Sequence, residues 1–217
     1  SEWLDYLSVM PLDGGIGERI VNSLISHLPN TVQYFARVIS VMPKLKKDAI
    51  HALFAQPSDS EILKSGQMIA LPLDMLDGYL DQLVSSRLLS IDEGGWRFNP
   101  LLRKTLCDSL KAEDPAVYRE LNRRASVHLL TSESTVSPAA VEHVYESGDY
   151  DELMRLLEGN ISHLLRLGHQ QKLGQWLDSL AEELTELPIW ADYELANIHS
   201  LRGNWDLARE YLERCRK

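Results

Sequence analysis

The chain has 217 residues, 44% of them hydrophobic and 25% charged, a globular composition that excludes wholesale disorder. No apolar run reaches the roughly 20 residues of a membrane span and no signal peptide opens the chain. Cys107 and Cys215 match no metal or redox spacing, so a reducing, cytoplasmic setting with no membrane contact is expected. Of the 22 basic and 32 acidic side chains, residues 1–111 hold 11 and 13 and residues 112–217 hold 11 and 19, so a net of −2 is followed by −8. The second half would repel a phosphate backbone, and neither half reads as a strong nucleic-acid binder. The chain begins at Ser1 and stops within a helical pattern, as a piece of a longer protein would.

In chain order, Gly14-Gly15-Ile16-Gly17-Glu18-Arg19 superficially resembles a phosphate loop. It lacks the Lys and the Ser or Thr that would reach phosphate and magnesium, so a linker is expected there. After Leu28-Pro29, the spacing of Val32, Phe35, Ala36 and Ile39 predicts a helix that Pro43 stops. A second short helix is expected over Asp48–Phe54. After Pro72 comes a third, with Leu76, Leu80, Leu83 and Val84 on one face. Leu88–Ile91 and Trp96–Phe98 flank a Gly pair and predict a β-hairpin with Gly94 or Gly95 at positive φ. Three helices followed by a hairpin is the order of a winged helix. Pro100 then opens a helix with Leu101, Leu102, Leu106 and Leu110 apolar.

The second half reads as helix throughout. Asp114-Pro115 and Ser137-Pro138 each place a capping side chain before a proline at the first helical position. Asp149 with Glu152 forms a capping-box pattern, and Gly148, Gly168 and Gly203 sit at expected helix ends. The sequence also repeats: Gly148-Asp149-Tyr150-Asp151 parallels Gly203-Asn204-Trp205-Asp206, and Gly168 precedes Gly203 at close to a tetratricopeptide period. Leu195 to Ala208 looks like one tetratricopeptide unit, with Ala196 and Ala208 where paired helices would cross closely.

The order of these segments resembles the regulatory arm of the MalT-like, ATP-dependent LuxR-family activators, over roughly residues 18–217. Five stretches carry the resemblance. They are His27-Leu28-Pro29 through Val41; Leu88-Leu89 with the hairpin and Trp96-Arg97-Phe98-Asn99-Pro100-Leu101-Leu102-Arg103; Leu121-Asn122-Arg123-Arg124-Ala125; Ala140-Val141-Glu142-His143 ahead of Ser147-Gly148-Asp149; and Trp176-Leu177 with Leu180 and Pro188. The family's His ahead of the Pro-Leu-Leu run is Asn99 here, a residue that donates hydrogen bonds but carries no charge. A second family His is Asn122, and a Pro is replaced by Ala181.

The resemblance implies a mainly α chain: residues 1–30 linker and first helix, 31–111 a winged-helix domain, 112–217 a tetratricopeptide-like repeat array. It implies a regulatory piece of a transcription regulator whose ATPase domain, in the same chain, binds ATP or ADP with magnesium. The piece itself would hold no cofactor or metal and catalyse nothing. Asn99 and Arg103 would stand at the nucleotide-sensing position. Trp190, Tyr193, Trp205, Tyr211 and Leu212 would form the surface for an inducer or protein partner. The helix after Gly203 offers an apolar stripe wide enough for self-association, and DNA would be reached only through another domain. Two other classes remain: a plain repeat scaffold without a nucleotide switch, and a DNA-binding winged helix.

Other chemistry-bearing residues have bland readings. Lys44, Lys46 and Lys47 form the one tight basic cluster, but Asp74, Asp77 and Asp81 on the would-be groove helix oppose phosphates, so a solvated loop is favoured. The histidines match no metal spacing, and His27, His51 and His128 read as core or boundary residues. Asp178, Glu182, Glu183 and Glu186 read as a solvated face. Trp176, Trp190 and Trp205 read mainly as core.

Overall fold

Helix α1 (Asn30–Ile39) starts directly after Pro29 in the computed structural model, which describes residues 19, 21, 23–54 and 73–216. Val32, Phe35, Ala36 and Ile39 are all buried, as their spacing demands. Helical backbone also occurs at Arg19, Val21 and 23–25, while the expected linker at 14–18 lies outside the described residues. Helix α2 spans Lys47–Phe54. A 3₁₀ turn, Leu73–Met75, leads into α3 (Leu76–Ser85), which buries Leu76, Tyr79, Leu80 and Leu83 but leaves Val84 at the boundary. The Phe35 ring joins all three helices: its centroid lies 5.6 Å from Phe54 and 5.5 Å from Tyr79. Each such aromatic pair adds roughly 0.5–1.5 kcal/mol beyond the area it buries.

The expected hairpin is present. Strand β1 (Leu89–Asp92) pairs antiparallel with β2 (Gly95–Phe98), with Leu89 opposite Phe98 and Asp92 opposite Gly95. The Asp92 carboxylate accepts from Gly94 N at 2.8 Å and closes the turn. Gly95 has φ of +124°. A third backbone segment joins the pair: Leu45 N donates to Trp96 O at 3.0 Å and Trp96 N to Leu45 O at 2.8 Å. Gly95 lies so close to this segment that a Cβ there would run into the Leu45 carbonyl oxygen.

Helix α4 (Pro100–Glu113) follows, with Leu102, Leu106 and Leu110 inward, and then α5 (Pro115–Ser132). The chain divides into two compact units, one up to His128 and the other from Leu129. The division falls inside α5. Arg124 Nη1 donates to the Leu53 carbonyl at the end of α2 (2.8 Å), and its Nε to Glu120 (2.9 Å), tying most of α5 to the first unit. Burial pushes the Glu120 carboxyl upward, but hydrogen bonds from Arg123 and Arg124 outweigh it and hold the group below the usual carboxylate range.

The second unit holds α6 (Pro138–Ser147), α7 (Tyr150–Arg166), α8 (Gln170–Glu183), α9 (Ile189–Leu201) and α10 (Trp205–Arg214). Ser137 caps α6 through Ala140 N and Asp149 caps α7 through Glu152 N. Gly148, Gly168 and Gly203 share φ of 76–79°. Behind the last two, His169 N bonds Leu164 O and Asn204 N bonds His199 O, the paired closure that left-handed glycines permit. One apolar core runs through α6 to α9, from Val141 and Leu153 to Leu177, Leu195 and Ile198. The fold is mainly helical, and among the described residues no helix is long and apolar enough to cross a membrane.

Replacing Gly95 by Ala forces both a disfavoured φ and a backbone collision. It should destabilise the first unit by about 2–4 kcal/mol in urea unfolding. Gly94→Ala, where the added atom meets only the Asp92 carboxylate, should cost markedly less.

Candidate functional site

Asn99 and Arg103 stand one turn apart at the start of α4, and both side chains already have work inside the fold. Asn99 Oδ1 accepts from Leu101 N (2.9 Å) and Leu102 N (3.5 Å), capping the helix. Arg103 Nη2 donates to Val41 O at 3.0 Å, while its Nε is buried without a partner. Arg103 holds the segment just after α1 to the start of α4.

A second group of polar residues gathers where α8, α9 and α10 meet. Helix α9 places Asp192 and His199 seven residues apart, on one face, and both are 6% exposed. His199 Nε2 lies 3.2 Å from Asp178 Oδ1 on α8. A carboxylate only accepts, so Nε2 carries the proton in this contact. The His199 ring stacks on Tyr211 of α10, with centroids 5.6 Å apart and planes 4° from parallel. Arg202 Nη1 reaches Asp178 Oδ2 at 3.3 Å. Its guanidinium crosses α8 over Gly174, a buried position where a Cβ would strike it and would also lie 3.1 Å from Ile198 Cγ2. Glycine inside a helix costs about 1 kcal/mol relative to alanine. Here it creates the slot that Arg202 occupies.

Two atoms of this group are buried and unpartnered: Asp192 Oδ1 and His199 Nδ1. Burial pushes the Asp192 carboxyl above its usual range, against the nearby charge of Arg214. Burial also raises the Tyr211 phenol, reinforced by the negative charge of Asp178. Arg214 lies 4.9 Å over the Tyr211 ring and donates to Glu210 at 2.6 Å.

The five residues expected on a partner surface separate into two sets. Trp190 and Tyr211 are partly buried and pack against the core. Tyr193, Trp205 and Leu212 lie open, at 52%, 67% and 46% exposure. Of the expected stripe on α10, Ala208 is buried, Tyr211 and Cys215 are half-buried, and Leu207 and Leu212 face outward.

The remaining candidates resolve simply. Lys47 donates to Asp77 on α3 at 2.8 Å, an exposed pair that spends one of the three clustered lysines on an internal contact. His143 is buried and His51 and His128 are at the boundary, but His27 is exposed, lying between the inward Ile25 and Leu28 positions. Glu182, Glu183 and Glu186 are solvated. Asp178 differs from that acidic run: it is half-buried and meets His199 and Arg202. The sequence shows its charge but not these partners, which lie on another helix. Among the described residues no group of three or more His, Cys, Asp or Glu could hold a metal ion. Comparison with known proteins finds no family model that matches the chain, no similar curated protein and no similar solved structure.

Gly174→Ala should stabilise the chain by about 1 kcal/mol more in an Arg202→Ala background than in the wild type, measured as a double-mutant cycle in urea. Asp192 should show the opposite sign from an ordinary paired carboxylate. Its folded-state pKa is raised, so its contribution is fully present below the unfolded pKa and is lost as pH rises through the folded one. Asp192→Asn should therefore raise the unfolding midpoint at pH 7 and give little gain near pH 3.

Proposed function

We propose that this chain is the regulatory arm of an ATP-dependent signalling protein of the MalT-like LuxR type. In this reading residues 31–111 act as a winged helix that restrains an ATPase domain of the same polypeptide in the cytoplasm. The helices that follow begin a tetratricopeptide-like array that binds an inducer or protein partner. The chain itself performs no chemistry. The reading is carried by the exposed apolar side chains of α9 and α10: Ile189, Tyr193, Leu201, Trp205, Leu207 and Leu212 all lie in solvent, as on a recognition surface. The bridge from Leu45 to Trp96 supports the winged-helix half, since it adds a third extended segment to a hairpin preceded by three helices.

One observation favours the scaffold alternative. Asn99 is engaged in capping its own helix, so a nucleotide phosphate would have to displace that cap. The Lys47–Asp77 pair counts against direct DNA reading.

Isothermal calorimetry on this chain should show no micromolar ATP binding, because no phosphate loop is present in its sequence. The intact open reading frame should carry that loop upstream. ATP hydrolysis by the intact protein should rise when residues 31–111 are removed. An intact protein without a phosphate-binding loop, or hydrolysis unchanged by the removal, overturns the switch and leaves the scaffold.

A further inference from the structure

We propose that α10 is a proton-operated latch on α9: with Asp192 protonated the helix lies closed, and with Asp192 ionised it loosens. The proposal goes beyond the regulatory reading and does not rest on it. Asp192 is 6% exposed, and its Oδ1 is buried with no hydrogen-bond donor in reach. The element over it is α10. Asp192 shares its face of α9 with His199, whose ring stacks on Tyr211 of α10. The charge that acts on Asp192 is that of Arg214, also on α10. Cys215 Sγ lies 3.7 Å from the Ile189 carbonyl, so the end of α10 sits beside the start of α9. Asp192 belongs to that first turn, and the carboxyl therefore lies under the free end of α10, opposite the turn at Gly203.

The groups around Asp192 do not satisfy it. From α10 come Tyr211, Arg214 and Glu210; Arg214 donates to Glu210 on its own helix at 2.6 Å and lies over the Tyr211 ring. From α8 comes Asp178, engaged with His199 and Arg202. None of them gives Oδ1 a hydrogen bond. An ionised carboxylate in such a place loses its water and gains no donor, whereas the protonated acid loses far less. Burial accordingly pushes the carboxyl above its usual range, even against Arg214. Burial also raises the Tyr211 phenol, which stays protonated through neutral pH. His199 lies nearer the turn, and its contact with Asp178 of α8 survives when α10 lifts.

Lifting α10 gives Asp192 back to water, so docking is linked to proton uptake. The contribution of Asp192 to docking is fully present below the pKa of the lifted state. It is lost as pH rises through the higher pKa of the docked state. Acid closes the latch and neutral pH loosens it. One carboxyl suffices because α10 fully buries only Ala208, which leaves little apolar area to oppose release. Gly203, with φ of +79°, carries the turn on which the helix swings.

The test reads how often α10 lifts. Ala208→Cys puts a thiol into the buried seam, in a chain that also carries Cys107→Ser and Cys215→Ser. Dithiodipyridine, which attacks thiols in acid as well as at neutral pH, labels it only when the helix is away. Each rate is divided by that of a short peptide with the same cysteine at the same pH, which removes the titration of the thiol itself. Ala140→Cys, fully buried on α6 of the same unit, reports opening of the whole unit. From about pH 4.5 to about pH 7.5 the corrected Ala208→Cys rate should rise at least about threefold and exceed the Ala140→Cys rate throughout. Adding Asp192→Asn, which keeps the shape of the protonated acid, should hold the rate at its acid value. In the unmodified chain Cys215, whose contact with Ile189 breaks on lifting, should follow the same pH dependence, so the proposal can fail even where Ala208→Cys does not fold. A corrected rate that does not change with pH, or a rise that survives Asp192→Asn, overturns the inference. So does Ala208→Cys labelling no faster than Ala140→Cys, since α10 would then open only with the unit. A rise kept in Asp192→Asn and lost in His199→Gln assigns the proton to His199 and overturns it as well. No nucleotide or partner enters these measurements, so the regulatory reading keeps its own test.

Discussion

A hairpin with strands of four residues does not hold itself together in water. In the first unit it is held by the backbone bonds between Leu45 and Trp96, and these require the chain to approach where Gly95 has no side chain. Everything nearby follows from that approach. Leu45 is brought to full burial among residues of α1 and α2, and Phe98, at the far end of β2, is turned inward beside Leu89. Asn99, directly after β2, caps the start of α4. The Arg103 bond to Val41 closes the circuit back to the segment that leads into Leu45.

Buried charge is treated differently in the two units. Glu120 and Arg124 sit together in the first, with Arg124 also donating to the Leu53 carbonyl. The cost of taking both ions from water is met by several charge-assisted bonds. In the second unit His199 and Arg202 share Asp178, but Asp192 has no carboxylate-binding donor on its inner oxygen. The first arrangement fixes α5 against α2. The second leaves the packing of α9 and α10 with unmet polar demand.

Periodicity and punctuation made most of the helices legible: Val32, Phe35 and Ile39, the Ser137-Pro138 start and the glycine at 203 all mark structure through local rules. The hairpin was legible for the same reason, since two glycines between strand formers leave few alternatives. What the residues did not reveal depends on long-range contact. The bond from Arg124 to the Leu53 carbonyl at the end of α2 is one such contact, and nothing local distinguishes Arg124 from Arg123. The resemblance singles out Asn99 and Arg103; the Asn99 cap is local to α4, but the Arg103 bond to Val41 depends on how α4 lies against the segment after α1. Among the partner-surface candidates, helical spacing separates an inward Tyr211 from an outward Leu212. It does not show that Trp190 is covered and Tyr193 is open. Asp178 looked like its acidic neighbours because its two partners come from the following helix.

The unpartnered atoms beneath α10 bear on how that helix moves. Local opening is opposed by the apolar area a segment buries and by the bonds it would break. Helix α10 fully buries only Ala208, so little area opposes its release. Lifting it would also let water reach Asp192 and His199, a gain that refunds part of the cost. The turn at Gly203, closed by bonds from Gly203 N and Asn204 N to the end of α9, supplies a pivot that need not unravel α9. Amide exchange along α10 should therefore proceed by a sub-global opening well below the free energy of unfolding the unit. Any ligand that grips the helix in its docked form would slow that exchange by mass action, making α10 a place where occupancy is converted into rigidity.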